Sequence, residues 1–295
     1  MDELAFHRWL RSEWPDKPGM LGIGDDAAAL CCGPVTVVCT DSVAEGTHFV
    51  SGTDPVLIGR KAVARNLSDL AAMGAEPLGA LVALILPRAC PDALPQKIMR
   101  GCRQELEKTG ADIVGGDTTT HEGGIVVNVT LLGRPMGERV IRRDGARPGD
   151  VLAVTGALGG SGQGRHLAIA PRLAAARELV QLGPPSAMMD VSDGLLLDLQ
   201  RLVDASHCGF ELDAALIPVH ADAVALPGDP LERALSDGED FELIVALPAE
   251  RWAHLEGAWS RTIPLTRIGS VTTTGQRILR AGAAWWPGST GHVHR

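Results

Sequence analysis

Six short segments rich in aspartate carry the chemistry that this sequence can perform. Carboxylates that lie close together raise one another's pKa, so a group of them needs a positive partner. A divalent cation such as Mg²⁺ is the simplest partner, and clustered Mg²⁺ ions usually hold a nucleotide triphosphate. The sequence therefore predicts magnesium-dependent phosphoryl transfer. The segments are Gly24-Asp25-Asp26, Thr40-Asp41-Ser42, Asn66-Leu67-Ser68-Asp69, Gly115-Gly116-Asp117, Asp190-Val191-Ser192-Asp193 and Gly238-Glu239-Asp240.

The first two segments combine acids with glycine or a hydroxyl residue. Glycines before the acid pair allow the backbone to approach a phosphate closely, and Asp25 and Asp26 can then place oxygens on Mg²⁺. Thr40 and Asp41 present a hydroxyl and a carboxylate where a β-branched strand is predicted to end. The alternative for the glycine-flanked acid pair is an ordinary surface turn.

Asp69 is predicted to lie in the last turns of a helix that spans residues 54–73. A carboxylate near a helix C-terminus opposes the helix dipole, so stability alone does not favour an acid there. A bound cation would compensate, and the position therefore favours a metal ligand. The alternative is an ion pair with Arg65 or Lys61.

Two glycine-rich segments differ in what they can bind. Gly115–Thr120 combines two glycines, an acid and three hydroxyls. We predict a loop after a short strand (113–114), because backbone N–H groups of such a loop can cradle phosphate oxygens; the alternative is a solvated turn. Gly159–His166 lacks the Lys-Ser/Thr pair with which a P-loop contacts phosphate and Mg²⁺. We interpret it as a flexible turn between a strand and a helix.

The segment from Asp190 to Gly194 places two acids at a predicted strand end. We expect the carboxylates of Asp190 and Asp193 to lie together at this strand end. Ser192 or Asp193 is also predicted to cap the helix that follows. Capping and metal binding are compatible roles for one aspartate.

Strands and helices alternate in both halves of the chain, and residues 142–150 have the composition of a linker. We therefore expect α+β or α/β architecture in two domains that divide near residues 145–150. The predicted helices are 2–12, 54–73, 91–108 and 194–205, and the predicted strands are 35–40, 78–86, 113–114, 125–132, 151–155, 188–191, 209–213, 241–247, 264–271 and 276–281.

Composition limits the class of protein. With 295 residues, 45% of them apolar, the chain can bury a sizeable core, and a net charge of −9 argues against a nucleic-acid or anionic-membrane surface. The six Cys form neither C-x-x-C nor a zinc-like spacing. The start Met1-Asp2-Glu3 is unlike a signal peptide, and the longest apolar run, Leu78–Leu86, is shorter than the roughly 20 residues of a membrane span. We expect a cytoplasmic protein with reduced thiols.

Seven segments, taken in order, resemble the thiamine-monophosphate kinase family of the aminoimidazole-ribotide synthetase superfamily. The resemblance implies a two-domain α+β fold. Residues 1–145 would bind ATP and Mg²⁺ and form a homodimer through their sheet, and residues 146–295, an α/β domain, would complete the nucleotide and substrate site. The segments are GIGDDAAAL (22–30), TDSVAEGTHF (40–49), KAVARNLSDLAAMGAEP (61–77), GGDTT (115–119), RPGD (147–150), MDVSDGL (189–195) and DGEDFEL (237–243).

The same resemblance implies that the γ-phosphoryl group of ATP passes directly to thiamine monophosphate, with several Mg²⁺ ions and without a side chain acting as general acid, base or nucleophile. It also implies residue roles. His48, Glu239 and Trp286 would line the substrate site, and Gly116, Asp117, Arg143 and Ser192 would contact ATP. The metal ligands would be Asp25, Asp26, Cys39, Thr40, Asp41, Asp69, Asp117, Asp190 and Asp193.

The sequence departs from the family pattern in two places and leaves alternatives open. The family segment Gly-Gly-Glu-Asp-Tyr is Asp237-Gly238-Glu239-Asp240-Phe241 here, and the C-terminal Trp-Lys-Gly segment is Trp286-Pro287-Gly288. Either tryptophan of Trp285-Trp286 could stack on a ligand, and either of two adjacent arginines, Arg142 or Arg143, could contact ATP. The rival functions are another ATP-dependent enzyme of the superfamily and a non-catalytic nucleotide or thiamine-phosphate binder.

Overall fold

The computed structural model describes residues 9–10, 12–13 and 33–291, and it divides into two compact units. The first unit contains the described residues up to Leu70 and the segment Ala75–Pro135. The second contains Ala71–Gly74 and the chain from Met136 onwards. The predicted acid pair Asp25-Asp26 and most of the predicted N-terminal helix (2–12) lie outside the described residues.

The first unit is built on a four-stranded sheet in the order β1-β4-β2-β3. Strand β4 pairs antiparallel with both β1 and β2, whereas β3 runs parallel to β2. Buried and less buried residues alternate along β4, so one face of the sheet is in the core and the other is open. The strands are β1 (Val37–Ala44), β2 (Ala75–Pro87), β3 (Asp112–His121) and β4 (Val126–Pro135).

Among residues 33–291, two helices accompany this sheet: α1 (Pro55–Ala72), whose last two residues belong to the second unit, and α2 (Ala93–Glu107). Helix α1 begins where the sequence predicts, because the Asp54 carboxylate accepts the Val56 N–H at 3.0 Å and proline occupies the first turn. The helices approach each other closely at glycines. A Cβ atom on Gly101 would lie 2.1 Å from the carbonyl oxygen of Val56.

The second unit is built on a seven-stranded sheet in the order β11-β10-β7-β9-β5-β8-β6. All its pairings are antiparallel except β7 with β10. The strands are β5 (Val151–Thr155), β6 (Ala187–Asp190), β7 (Gly209–Asp213), β8 (Leu243–Leu247), β9 (Leu265–Thr272), β10 (Gln276–Arg280) and β11 (Ala283–Trp285).

Strands β5, β6 and β8 are buried on both faces, and alternate residues enter two different cores. Leu152 and Ile244 belong to the core that includes α4, whereas Ala153 and Val245 belong to the core that includes α3 and α7. Short apolar strands of this kind are typical of sheets covered on both sides. The helices are α3 (Leu173–Leu182), α4 (Leu195–Ala205), α5 (Ala221–Val224), α6 (Pro230–Ser236) and α7 (Ala249–Ala258).

The predicted strand 151–155 and the predicted helices 54–73 and 194–205 are confirmed to within two residues. Two expectations are wrong. Asp41 does not end a strand, because β1 continues to Ala44 in register with β4 and buries Val43 completely. The segment Gly115–Thr120 is not a loop, because it pairs with β2 as part of β3. Its glycine serves close packing instead, since a Cβ atom on Gly116 would lie 1.8 Å from the carbonyl oxygen of Val82.

We expect Gly101→Ala to lower the free energy of unfolding by about 1–3 kcal/mol, because the new methyl group forces α1 and α2 apart. Gly257→Ala is the matched control, since nothing lies within 4 Å of a Cβ atom there, and alanine favours a helix over glycine. Urea denaturation monitored by circular dichroism measures both changes. A wild-type midpoint for Gly101→Ala would show that the close approach of the helices is not needed.

Candidate active site

In the first unit, predicted metal ligands lie between β1 and the C-terminal half of α1. The Asp41 carboxylate is 3.4 Å from the Arg65 guanidinium Nε. Asp69 follows Arg65 by four residues, so both side chains leave the same side of α1. The Cys39 thiol, two residues before Asp41 on the same side of β1, donates to the carbonyl oxygen of Asn66 at 3.4 Å. The structure thus brings Cys39, Asp41 and Asp69 to one side of the sheet.

Asn66 is fully buried in this region and only half satisfied. Its Nδ2 donates to the carbonyl oxygen of Ala62 at 3.0 Å, whereas its Oδ1 accepts no hydrogen bond within the described part of the chain. A buried acceptor without a donor is costly. An amide oxygen is also a ligand that Mg²⁺ accepts, and Asn66 begins one of the acidic segments predicted to carry the chemistry.

Thr40 and Asp117 lie on the opposite, open face of the same sheet. The Thr40 hydroxyl is 2.9 Å from the Thr130 hydroxyl, and the register places Asp117 beside Ala83 on this face. Among the described strands, β1 and β3 are the two edges of the sheet, so Asp41 and Asp117 are separated by three strand spacings, roughly 14 Å. The first unit by itself does not bring Asp41 together with Asp117 or with the Thr40 hydroxyl.

His48 lies in a turn held by a buried lysine that the sequence analysis had not assigned to the site. The His48 Nδ1 accepts the Ala44 N–H at 3.1 Å, and the Lys61 ammonium donates to the His48 carbonyl oxygen at 2.7 Å. Lys61 is completely buried, which is rare for lysine without compensation. In the sequence, the burial of Lys61 is indicated by its position beside Ala62 on the apolar side of α1.

In the second unit, the predicted ATP-contacting and substrate-contacting segments are joined by main-chain hydrogen bonds. Asp190 ends β6 and is buried. Beyond it, the Glu239 N–H donates to the Ser192 carbonyl oxygen at 2.7 Å, and the Phe241 N–H donates to the Val191 carbonyl oxygen at 2.8 Å. Ser192 and Glu239 are therefore adjacent, as a shared role at one site requires.

The predicted cap of α4 by Ser192 or Asp193 is wrong. Asp198, in the first turn of the helix, accepts the N–H groups of both residues at 2.9 and 2.8 Å. Arg201 bridges the carboxylates of Asp193 and Asp198 at 2.5 and 2.7 Å. Burial raises the pKa of Asp198 to about 6, and the nearby charges of Asp190 and Asp193 add to this effect. The position of Asp198 in the first turn of the helix is the sequence feature that indicates this capping role.

The loop around Glu239 has a strained backbone. Glu239 and Phe241 both have positive φ angles, 63° and 52°, which cost non-glycine residues on the order of 1 kcal/mol each. Asp240 between them accepts the Gly159 N–H and an Arg165 N–H, both at 2.8 Å. Burial raises the pKa of Asp240 to about 7, although both donors favour the charged form.

The structure distinguishes Trp285 from Trp286 and Arg142 from Arg143 by their surroundings. Trp286 is 41% exposed and stacks on buried Phe210 with ring centroids 6.3 Å apart. Trp285 packs against the core, and the Arg280 guanidinium lies 4.8 Å from its ring centroid. Arg142 is paired with Asp144, with Nε 2.9 Å from a carboxylate oxygen. Arg143 is exposed, and its carbonyl oxygen accepts the Ser206 hydroxyl at 2.8 Å.

The donor set fits magnesium. Within residues 33–291, no group of three or more His, Cys, Asp or Glu side chains is placed to hold a metal ion. Mg²⁺ does not require such a group, because it binds one or two carboxylates and takes its remaining ligands from water and phosphate oxygens. Asp41 and the orphan Asn66 oxygen offer oxygen ligands of that kind, as do Asp190 and Asp193.

No helix among the described residues could cross a membrane.

Comparisons with known proteins define the class first. Residues 24–134 match the family model described as AIR synthase related protein, N-terminal domain, and residues 147–281 match the model of its C-terminal domain. The predicted two-domain α+β architecture of this superfamily is thereby confirmed.

Relatives then define the family. The thiamine-monophosphate kinase of Rhodopirellula baltica is 41% identical over 285 residues, covering 91% of this chain and 89% of that protein. The crystal structure of the enzyme from Stenotrophomonas maltophilia K279a has a TM-score of 0.82 and 32% identity, covering 94% of this chain and 96% of that one. AaThiL, solved with AMPPCP and TMP, has a TM-score of 0.78 and 27% identity, covering 99% and 97%. The chain belongs to the thiamine-monophosphate kinase family, and it is therefore a phosphotransferase with a phosphate group as acceptor.

Proposed function

We propose that this enzyme transfers the γ-phosphoryl group of ATP directly to thiamine monophosphate, producing thiamine diphosphate. The similarity to AaThiL, which was solved with AMPPCP and TMP, supports both substrates. The observation that carries the proposal is the hydrogen bond from the Glu239 N–H to the Ser192 carbonyl oxygen. It joins the segment that we assign to ATP with the segment that we assign to the acceptor.

We assign the ligands of the reaction as the family resemblance implies. Residues 1–145 would form the ATP, Mg²⁺ and dimerisation domain, and residues 146–295 would supply the remaining ligands of the nucleotide and substrate. Gly116, Asp117, Arg143 and Ser192 would contact ATP. The oxygen ligands of Mg²⁺ would come from Asp25, Asp26, Cys39, Thr40, Asp41, Asp69, Asp117, Asp190 and Asp193.

The acceptor explains the absence of an assigned acid or base. A phosphate monoester is already ionised at neutral pH, so no side chain has to remove a proton before in-line attack. The obstacle is repulsion between two anions, and bound Mg²⁺ would neutralise their charge and stabilise the transferred group. The aspartates hold the cations, and Arg143 adds a positive charge that the nucleotide can reach.

Glu239, His48 and Trp286 would line the acceptor site. Thiamine carries a permanently cationic ring, which an exposed indole face and a carboxylate both attract.

We expect Trp286→Ala to raise the KM for thiamine monophosphate about tenfold without lowering stability, because the side chain is 41% exposed. Trp285→Ala, which removes a residue packed on the core, should instead lower the melting temperature. Steady-state kinetics and thermal unfolding separate the two, and unchanged kinetics for Trp286→Ala would remove it from the site.

Phosphorus NMR of the purified enzyme with ATP, Mg²⁺ and thiamine monophosphate tests the reaction. We expect thiamine diphosphate and ADP in equal amounts, and no product when EDTA removes the metal. ADP with free phosphate would indicate a different acceptor and hence another enzyme of the superfamily. No consumption of ATP would indicate a non-catalytic binder.

Asp69→Asn should lower kcat by about 100-fold or more, because a neutral amide binds Mg²⁺ weakly in place of a carboxylate. Asp54→Asn is the matched control at the other end of α1. Asparagine caps a helix as well as aspartate does, so this variant should retain its activity. Turnover of both variants is compared after circular dichroism establishes that they are folded. An active Asp69→Asn enzyme would rule out the metal role.

We propose that the enzyme is a homodimer formed through the open face of the first-unit sheet. Val38 is 59% exposed and Leu81 is 37% exposed on this face, and apolar exposure of this kind favours an interface. Light scattering should give twice the 31.0 kDa mass of one chain. Leu81→Asp should shift the mass towards one chain, and a wild-type protein of single-chain mass would contradict the proposal.

We also propose a cytoplasmic location. Cys90, Cys102 and Cys208 form no disulfide within the described residues, and unpaired cysteines are usual in proteins of a reducing compartment. Burial raises the pKa of Cys102 to about 12, which makes this thiol unreactive. Fractionation of cells that produce the protein tests the location, and recovery in an extracellular fraction would contradict it.

A further inference from the structure

The glycine-rich segment Gly159–His166 has no place in the function proposed so far. It follows β5 and contains two short 3₁₀ turns, Ser161–Gln163 and Arg165–Leu167. The structure places it against the loop Asp237–Asp240, which carries Glu239. The interpretation of this segment as a flexible turn does not account for these contacts.

Three consecutive residues of the segment bind three residues of the loop. The Gly159 N–H donates to the Asp240 carboxylate at 2.8 Å, and the Gly160 N–H donates to the Asp237 carboxylate at 2.8 Å. The Ser161 hydroxyl donates to the Gly238 carbonyl oxygen at 2.5 Å. A side chain at residue 159 would be obstructed, since a Cβ atom on Gly159 would lie 2.8 Å from the Ala234 nitrogen in α6. Glycine therefore lets the segment lie against α6 while its N–H groups reach the carboxylates of the loop.

Arg165 joins the glycine-rich segment to the loop Asp237–Asp240 through hydrogen bonds of its guanidinium group. Its guanidinium Nη2 donates to the Gly159 carbonyl oxygen and to the Asp240 carboxylate, both at 2.8 Å, and its Nε lies 3.3 Å from the Asp222 carboxylate. The Asp240 side chain is completely buried. A planar guanidinium can satisfy several acceptors in a fixed geometry, which an ammonium group cannot do.

Glu239 contacts both the chain after β6 and the last residue of the glycine-rich segment. Its N–H donates to the Ser192 carbonyl oxygen at 2.7 Å, and its carboxylate lies 3.3 Å from the His166 Nδ1. Its positive φ angle and that of Phe241 persist only while the surrounding contacts hold the loop. If Asp240 lost its partners, the backbone on both sides could relax and Glu239 would move.

We propose that Gly159–His166 is a positioning element for Glu239, with Arg165 as the positioning residue that acts through Asp240. This inference rests on the proposed role of Glu239 in binding thiamine monophosphate. In this chain, Asp237 adds a hydrogen bond to the same element at a position where the family pattern has glycine. Arg165 itself does not contact the substrate.

A double-mutant cycle between Arg165→Ala and Glu239→Ala tests the proposal. Arg165→Ala should raise the KM for thiamine monophosphate about tenfold, with kcat and the KM for ATP changing less than about twofold. In the Glu239→Ala background, Arg165→Ala should change the KM for thiamine monophosphate less than about twofold, because the side chain that it positions is already absent. Equal effects in both backgrounds would overturn the proposal.

Arg172→Ala is the matched control for the loss of a buried ion pair. Arg172 pairs with Glu242, and the side-chain exposures of this pair, 22% and 2%, resemble the 24% and 0% of Arg165 and Asp240. The control should lower the melting temperature without raising the KM for thiamine monophosphate. A comparable rise in KM for Arg172→Ala would show a general loss of stability and would overturn the proposal.

Milder variants keep the test valid if Arg165→Ala does not fold. Arg165→Lys retains the charge without the planar fork, and Ser161→Ala removes one hydrogen bond to the loop. Both should raise the KM for thiamine monophosphate by a smaller factor, and unchanged values for both would overturn the proposal. Failure of the proposed function is distinguishable, because the wild-type enzyme would then form no thiamine diphosphate in the same assay.

Discussion

The burial of carboxylates is the constraint on which the second unit depends. The side chains of Asp198, Asp240 and Glu242 are almost inaccessible to water. A charge removed from water is tolerated only with a partner and additional hydrogen bonds. Each acid therefore pairs with its own arginine, and each also accepts backbone N–H groups or a hydroxyl. These donors come from Val191–Gly194, from Thr155 at the end of β5 and from the glycine-rich turn after it, which are thereby fixed in place.

The same requirement organises the first unit on a smaller scale. Arg65 lies against Asp41, and the buried Lys61 ammonium donates to a main-chain carbonyl oxygen in the turn that carries His48. Both cations project from α1, and the helix is anchored at its start by Asp54. One helix therefore supplies a positive partner for an acid on β1, the support of a turn and the acidic residue Asp69 near its own C-terminus.

Glycines and strained residues mark where segments approach most closely. Glycine at 116 allows β3 to lie against the backbone of β2, and glycine at 159 allows a turn to lie against α6. Glu239 and Phe241, by contrast, hold left-handed conformations with full side chains. Such conformations are retained where neighbouring contacts over-determine the backbone. Glycine therefore occupies the positions of closest approach, whereas the strained positions on either side of Asp240 keep full side chains.

The sequence alone determined the family, the two-domain α+β architecture and the helices with clear start signals, such as α1 with Asp54 and Pro55. These features depend on local order along the chain, which motifs and caps record directly. The sequence also identified the acidic residues, but it did not determine on which face of the sheet each side chain lies. Only the pairing of β1 with β4 decided that Asp41 faces α1 while Thr40 faces the open side, and only the packing of distant loops made Asp198, Arg165 and Asp240 partners. The physical reason is that burial and hydrogen-bond partners arise between segments far apart in the chain, where local patterns carry no record of them.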